Sequence, residues 1–405
     1  MSVKILETMT PTAVDSKARE YMVPTRDGVK LATDIYIPSA NESKNYSAVL
    51  VRTPYDKSSR YTAMNFEAEY FMSRGYVFAG QDVRGKCRPT GQTIPYTHDV
   101  DDAYDSVEWI IKQPWSNGRV AASGASYYGF TAWATVACGH PAVKAAAPSA
   151  TGIEMAQCHI SSIWHRDVPA LFALKDLFQI WSNNNGYLID FDWSRPVPEL
   201  MADLEKEIGP CIGAKELLAN SKEAHWWNPY GKRHPYHTTD IPILHCQSWF
   251  DPGLAPFGLR DWRHFREVSS KRNLHYLRVT SADHSGFVLK DVGAGFDRSP
   301  YMNPEVLQES IQSDCGAQAD FFDEHVNGID PPTSRPHAQW HIGHLGWQET
   351  PEFPPTTQPE TFYLSTAQEE SGATLSCKLP SKQTTPSWIH NPEKAVPSTT
   401  NIESI

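Results

Sequence analysis

A chain of 405 residues, 40% hydrophobic and 11% aromatic, can bury a large core and at ~100–200 residues per domain divides into more than one unit. Its formal net charge of −11, with 36 Lys+Arg against 47 Asp+Glu and no basic run, speaks against nucleic acid or an anionic membrane as a partner. No stretch approaches the ~20 apolar residues of a membrane span and the opening residues lack the apolar stretch of a signal peptide. The seven scattered cysteines match neither a disulfide framework nor a zinc pattern. The expectation is a cytoplasmic protein with reduced cysteines and no cofactor.

Residues 20–38 predict two strands joined at Arg26-Asp27-Gly28, with the glycine supplying the turn. An alternation follows: strand 48–53, helix 62–74 stopped by Gly75, strand 76–81, helix 99–113, strand 119–123, helix 127–138 and strand 143–149. Asp101 and Asp102 open the second helix, at the positive end of its dipole. Strands alternating with helices imply a mostly parallel sheet covered on both faces. The alternation then breaks until a strand at 241–249, a gap too long for an ordinary crossover. The intervening stretch has helical spacing and is rich in aromatics (Trp164, Phe172, Phe178, Trp181, Trp226, Trp227), which predicts an inserted helical cap. A strand at 274–280 and a helix at 308–326 follow. From about Pro331 short proline- and threonine-rich strands, 337–342 and 361–365, mark the start of an all-β module. The expected organisation is therefore an α/β core in two parts (1–150 and 241–330), a cap (151–240) and a β domain (331–405).

The segment Gly124-Ala-Ser126-Tyr-Tyr-Gly129 places a serine where a strand turns directly into a helix. Such an elbow lifts the hydroxyl off the sheet and aims it at backbone N–H groups of the helix N-terminus, which can hold an oxyanion. The second glycine stands three residues after the serine, where the usual elbow has it two after. In this fold the acid and then the histidine follow the serine along the chain, each at a strand's C-terminal end. Asp251, after strand 241–249, and His284, after strand 274–280, fit that order. His284 would take the Ser126 proton and Asp251 would fix the imidazole tautomer. His245 and His275 fall inside strands, His264 in the helix beyond Asp251, and Asp283 beside His284 is expected to cap its loop. His234/His237 and His341/His344 have short spacing but no third ligand, and Gly293-Ala-Gly295 lacks a third glycine and a preceding strand, so neither a metal nor a dinucleotide is expected.

These residues resemble the cocaine-esterase-like (CocE/NonD) α/β-hydrolases, kin of the X-Pro dipeptidyl-peptidases. The likeness rests on Val51-Arg-Thr-Pro-Tyr55-Asp-Lys57, Gln81-Asp-Val-Arg-Gly85, the Ser126 elbow, Ala147-Pro-Ser149, Trp249-Phe-Asp251, Phe321-Phe-Asp-Glu-His-Val-Asn-Gly328 and the Trp347…Thr361-Phe-Tyr-Leu364 pattern. The resemblance implies that the Tyr55 hydroxyl completes the oxyanion hole beside the Tyr127 amide. It implies a serine hydrolase acting on an ester or acyl amide of a small molecule through an acyl-enzyme. Asp82 and Arg84 are expected to be structural. Two departures stand out. The histidine follows Thr280-Ser-Ala-Asp283 rather than the family's Gly-Pro-Trp type sequence, and the stretch to Ile405 is shorter than the family's jelly roll. A shortened β domain would expose sheet edges, which a homodimer would cover; a partial sequence is the other explanation. The same triad would also serve acyl transfer, cyclisation or carbon–carbon (retro-Claisen-type) cleavage in specialised metabolism, and a non-catalytic binding protein is the reading from outside enzymology. Cleavage of X-Pro peptides is disfavoured, because the family's peptidases carry an additional N-terminal domain.

Overall fold

The computed structural model describes residues 2–379 except 10, 39–44, 60, 61, 89, 155–177, 221, 222, 224–227, 252, 269, 285–303, 357 and 367–372. The first strand, β1 (Val3–Met9), is followed by the predicted hairpin, β2 (Arg19–Pro24) and β3 (Lys30–Tyr36), and then by β4 (Tyr46–Thr53), α1 (Met64–Ser73), β5 (Val77–Asp82), α2 (Asp99–Ile110), β6 (Ser116–Ala125), α3 (Tyr127–Ala137) and β7 (Val143–Ser149). After the break come β8 (Gly186–Phe191), α4 (Val197–Ile208), α5 (Ile212–Asn220), α6 (Pro235–Thr238), β9 (Ile243–Phe250), α7 (Ala255–Val268), β10 (His275–Asp283) and α8 (Pro304–Phe322). The strands β11 (Ala338–Ile342), β12 (Gly346–Thr350), β13 (Tyr363–Thr366) and β14 (Ala373–Ser376) follow.

Ten of these strands form one sheet in the order β12-β11-β10-β9-β7-β6-β4-β5-β3-β2. The run from β11 to β5 is parallel, with β12 antiparallel at one edge and β3 and β2 antiparallel at the other. The central strands are buried along their length, as parallel strands covered on both faces must be. Helix α3, buried at every residue, packs against β4, β6 and β7. This is an α/β-hydrolase fold. The chain leaves β4 toward β5, then crosses to β6 on β4's other side. The strand order therefore reverses between β4 and β6, where open α/β sheets place their sites. Tyr55 follows β4 and Ser126 follows β6.

Two pairings depart from the reading of the sequence. Strand β1 pairs antiparallel with β8 inside the insertion, a two-stranded sheet that local pattern did not announce. Ala338–Ile342, read as the first strand of a separate β module, instead lies parallel to β10 in the main sheet, Leu277 opposite Ala338 and Val279 opposite Trp340. Val279, Ala338 and Trp340 are buried there with Trp262, and that packing recruits the strand to the core. Much of the expected cap, including Trp164, Phe172, Trp226 and Trp227, lies outside the described residues, as do Gly293, Gly295 and everything beyond Leu379. Within the described part, Phe178 and Trp181 are core residues. The buried Lys86 ammonium joins the insertion to the core by donating to the carbonyls of Ile180, Asn183 and Asn185 at 2.6, 2.9 and 2.9 Å. Among the described residues, no helix is long and apolar enough to cross a membrane.

Candidate active site

The strand-to-helix turn at the end of β6 holds Ser126 at φ 59° and ψ −122°, a conformation that costs a non-glycine residue of order 1–3 kcal/mol. Its neighbours explain how the turn closes. Gly124 has φ +144°, and a Cβ there would stand 2.4 Å from the Tyr128 Cβ. A Cβ on Gly129 would stand 2.6 Å from the Ser149 carbonyl oxygen. The displaced second glycine is therefore the contact point where α3 seats on the end of β7. The position two after the serine is left to Tyr128, whose ring packs on Tyr55 at 5.4 Å between centroids. The Ser126 amide donates to the Ser149 carbonyl at 3.0 Å, which holds the elbow against β7.

Asp251 leaves the end of β9 and His284 the end of β10, so the parallel sheet delivers both to the edge that carries Ser126. The His284 Nε2 lies 3.0 Å from Ser126 Oγ, and its Nδ1 lies 2.7 Å from Asp251 Oδ2. Asp251 is 4% exposed, and its other oxygen accepts from the Leu254 amide at 3.2 Å, a bond that fixes the carboxylate plane. The ring of His284 is 45% exposed, so the chain of bonds runs from a dry acid to a wet-side base.

Tyr55 sits in the loop after β4 and lines the same cavity of about 180 Å³ as Ser126 and His284. Its amide donates to Thr53 Oγ1 and its carbonyl accepts from Ser59, so the loop is bonded on both sides of the ring. Tyr127 is the first helical residue of α3, and its N–H belongs to the first turn, which has no acceptor within the helix. The Tyr127 side chain is turned into the core, where its hydroxyl donates to Asp99 at 3.2 Å. Burial and the neighbouring Asp99 carboxylate raise that phenol well above its ordinary range.

The remaining candidates are placed elsewhere. His245 and His275 are buried against each other, Nε2 to Nδ1 at 3.0 Å, with Phe265 stacked on His275 at 3.9 Å. His264 stacks on Tyr236, and His341 bonds Ser281. His234 faces Glu154 at 3.4 Å, its ring 5.9 Å from that of His237. Arg84 bridges Asp27 and Asp102, while Asp82, pushed up to about 8 by burial, accepts from the Lys57 amide. Among the described residues, one group of three donor side chains is close enough to share an ion: Asp56, Asp82 and Cys87. Arg88 already pairs with Asp56 at 3.1 Å.

The sequence reading missed four polar residues of the cavity lining. Glu67 of α1, Arg278 of β10 and Asp314 and Gln318 of α8 line the cavity together with Ser126 and His284. Charged residues at helical spacing look like a solvated face; only the packing of α1 against α8 turns them inward.

The profile of the X-Pro dipeptidyl-peptidase (S15) family matches residues 27–286. The chain is 27% identical to the cocaine esterase of Rhodococcus sp. (strain MB1 Bresler) over 415 residues, covering 95% of this chain and 69% of that one. A putative serine esterase of Mycobacterium bovis is 32% identical over 145 residues, 31% of this chain and 23% of its own. Among solved structures, an α-amino acid ester hydrolase superposes with TM-score 0.65 at 23% identity, covering 87% of this chain. A CocE/NonD family hydrolase from Staphylococcus aureus superposes with TM-score 0.58 at 18% identity, covering 90%. The chain spans 63% and 62% of the lengths of those two proteins.

Proposed function

The chain belongs to the X-Pro dipeptidyl-peptidase (S15) family, and from that premise we propose that it is a serine hydrolase cleaving an ester or acyl-amide bond of a small molecule. The observation that carries this reading is the unbroken hydrogen-bond chain Asp251–His284–Ser126 at a strained elbow. The relatives named as a cocaine esterase and a putative serine esterase support an ester over a peptide.

In the proposed reaction His284 Nε2 removes the Ser126 proton as Oγ bonds to the acyl carbon. Asp251, bonded to Nδ1, holds the imidazole in the tautomer with Nε2 free and balances the imidazolium that forms. The carbonyl oxygen becomes an oxyanion, taken up by the Tyr127 N–H and the Tyr55 hydroxyl, whose loop is held before the substrate arrives. Collapse expels the alcohol or amine, which leaves with the proton from His284, and an acyl-Ser126 remains. A water then gives its proton to His284, adds to the acyl carbon, and Ser126 is released with its proton restored.

The test is a fluorophosphonate probe followed by an ester and amide panel, run on wild type and Ser126→Ala with product masses recorded. Labelling of Ser126 and free acid as product are expected. A wild type inert to the probe would point to a binding protein. Product joined to an added amine or alcohol in place of free acid would point to acyl transfer.

A further inference from the structure

His284 comes level with Asp251 because β10 carries one residue more than β9 near their ends. The two parallel strands keep one register up to Thr280 opposite Ser248, and pair again at Asp283 opposite Phe250. Ser281 and Ala282 therefore face Trp249 alone, which makes a β-bulge. An unbroken register would bring Asp283 level with Asp251; the extra residue brings His284 there instead. Since side chains alternate along a strand, it also turns everything after it to the opposite face. Bulges are uncommon between parallel strands, and this one is fastened to the next strand of the sheet. The His341 carbonyl of β11 accepts from Ser281 Oγ at 3.1 Å and from Trp249 Nε1 at 2.8 Å. One oxygen thus holds both sides of the bulge. The Ser281 hydroxyl has a single proton; given to the carbonyl, it leaves Oγ to accept from His341 Nδ1–H at 2.9 Å. The His341 ring stands edge-on to Trp347 of β12 at 5.3 Å, and the Arg278 guanidinium covers the Trp347 ring at 3.8 Å.

Trp249 precedes Asp251 by two residues and Ser281 precedes His284 by three. Resting on the hydrolase reading above, we propose that Trp249 and Ser281 are positioning residues: through the shared His341 carbonyl they pin the bulge that sets His284 between Asp251 and Ser126. Backbone pairing alone is a weak guard here, because a slip of one residue would present Asp283 to Asp251, two carboxylates with no base between them. Packing alone is weak too, since the His284 side chain is nearly half exposed. The strand below has to supply the precision. Its tolerance is small, because His284 must hold 2.7 Å to Asp251 and 3.0 Å to Ser126 at once, and a misplacement of ~1 Å can cost about 10²-fold in rate. The same contacts give β11 a reason to lie in the main sheet: it carries the acceptor that ties the end of β9 to the end of β10.

The experiment compares wild type with Trp249→Phe, which keeps a ring and removes the N–H, and Ser281→Ala, which removes both hydroxyl bonds. Three quantities are read per folded molecule: kcat and KM for p-nitrophenyl acetate, the rate of Ser126 labelling by a fluorophosphonate, and the low-field proton resonance of His284 Nδ1–H bonded to Asp251. Each variant should lose about tenfold in kcat and in labelling rate, with KM within about twofold of wild type. The low-field resonance should broaden or vanish in both. Rates and resonance at wild-type values in the folded variants would overturn the proposal, and so would losses that only follow the folded fraction. If Ser281→Ala does not fold, Trp249→Phe decides. A wild type inert to ester and probe would sink the hydrolase reading by itself; the resonance would then still show whether Trp249 and Ser281 hold His284 on Asp251.

Discussion

The two halves of the central sheet bury polar groups in opposite ways. Around β6, β9 and β10, a single line of hydrogen bonds joins Asp251, His284 and Ser126, open to a cavity at one end. Around β3, β4 and β5, full charges are closed into a web. Lys57, with its side chain fully buried, lies between Asp34 at 2.7 Å and Glu20 at 2.9 Å. Buried Arg52 bonds Gln81 and the Asp99 carbonyl, and Arg84 spans Asp27 and Asp102. Burying charge costs several kcal/mol per ion unless the geometry is closed, so such a web is rigid by necessity. The line from Asp251 to Ser126 has no redundancy. The comparison teaches a division of labour: the web fixes the loop that carries Tyr55, and the line is the part proposed to react. Tyr55 is the joint, because the next two residues, Asp56 and Lys57, belong to the web.

That division can be broken in order of effect. Ser126→Ala should lower kcat by about 10⁶ with the melting temperature essentially kept, as expected for a member of a unit acting together. Asp251→Asn should cost about 10⁴ through the wrong imidazole tautomer. Tyr55→Phe should cost about 10²–10³ in kcat/KM if its hydroxyl meets the oxyanion; a rate near wild type would return Tyr55 to packing and leave the web without a catalytic outlet. Lys57→Met should show the reverse signature, with stability falling by about 3–5 kcal/mol in chemical denaturation because Asp34 loses its cation, and activity per folded molecule falling less than in Tyr55→Phe. A Lys57 variant as stable as wild type but catalytically dead would collapse the two regions into one.

How far each region was legible follows from the same physics. The line was readable because its parts obey order and locality. A strand–glycine–serine–helix elbow is written in eleven or so residues, and Asp251 and His284 each end an apolar strand. The displaced Gly129 looked irregular because its partner, the Ser149 carbonyl, comes from another strand. The web was readable only as a motif of resemblance around Tyr55 and Asp82, since nothing in the local pattern pairs Lys57 with Asp34 or Glu20. Glu67 and Asp314 were invisible for a related reason: periodicity cannot tell a face toward solvent from a face toward a cavity. The β1–β8 and β10–β11 pairings are between distant segments, and register between such strands is set by packing rather than by composition.

The smallest effect expected is a pH signature that carries opposite signs in the two halves. Below the edge that carries Ser126, burial holds His275 down to about 3 and His245 well below its ordinary 6.5. The unfolded chain takes up these protons below pH 6.5 while the folded pair does not. Stability from this pair therefore falls as pH falls from 6.5, by at most about 1.4 kcal/mol per pH unit for each histidine. In the web, burial raises Asp82 to about 8 from its ordinary 3.8. Here the folded chain keeps a proton that the unfolded chain has released, so stability falls as pH rises from about 4 to 8. Denaturant midpoints measured from pH 5 to pH 8 separate the two contributions. His275→Gln should gain on wild type as pH falls from 6.5 to 5, while Asp82→Asn should gain on wild type as pH rises from 6 to 8. Parallel profiles for all three proteins would mean that neither half stores its burial in these groups. Matching slopes of opposite sign would show that the sheet holds two different bargains with water on its two sides.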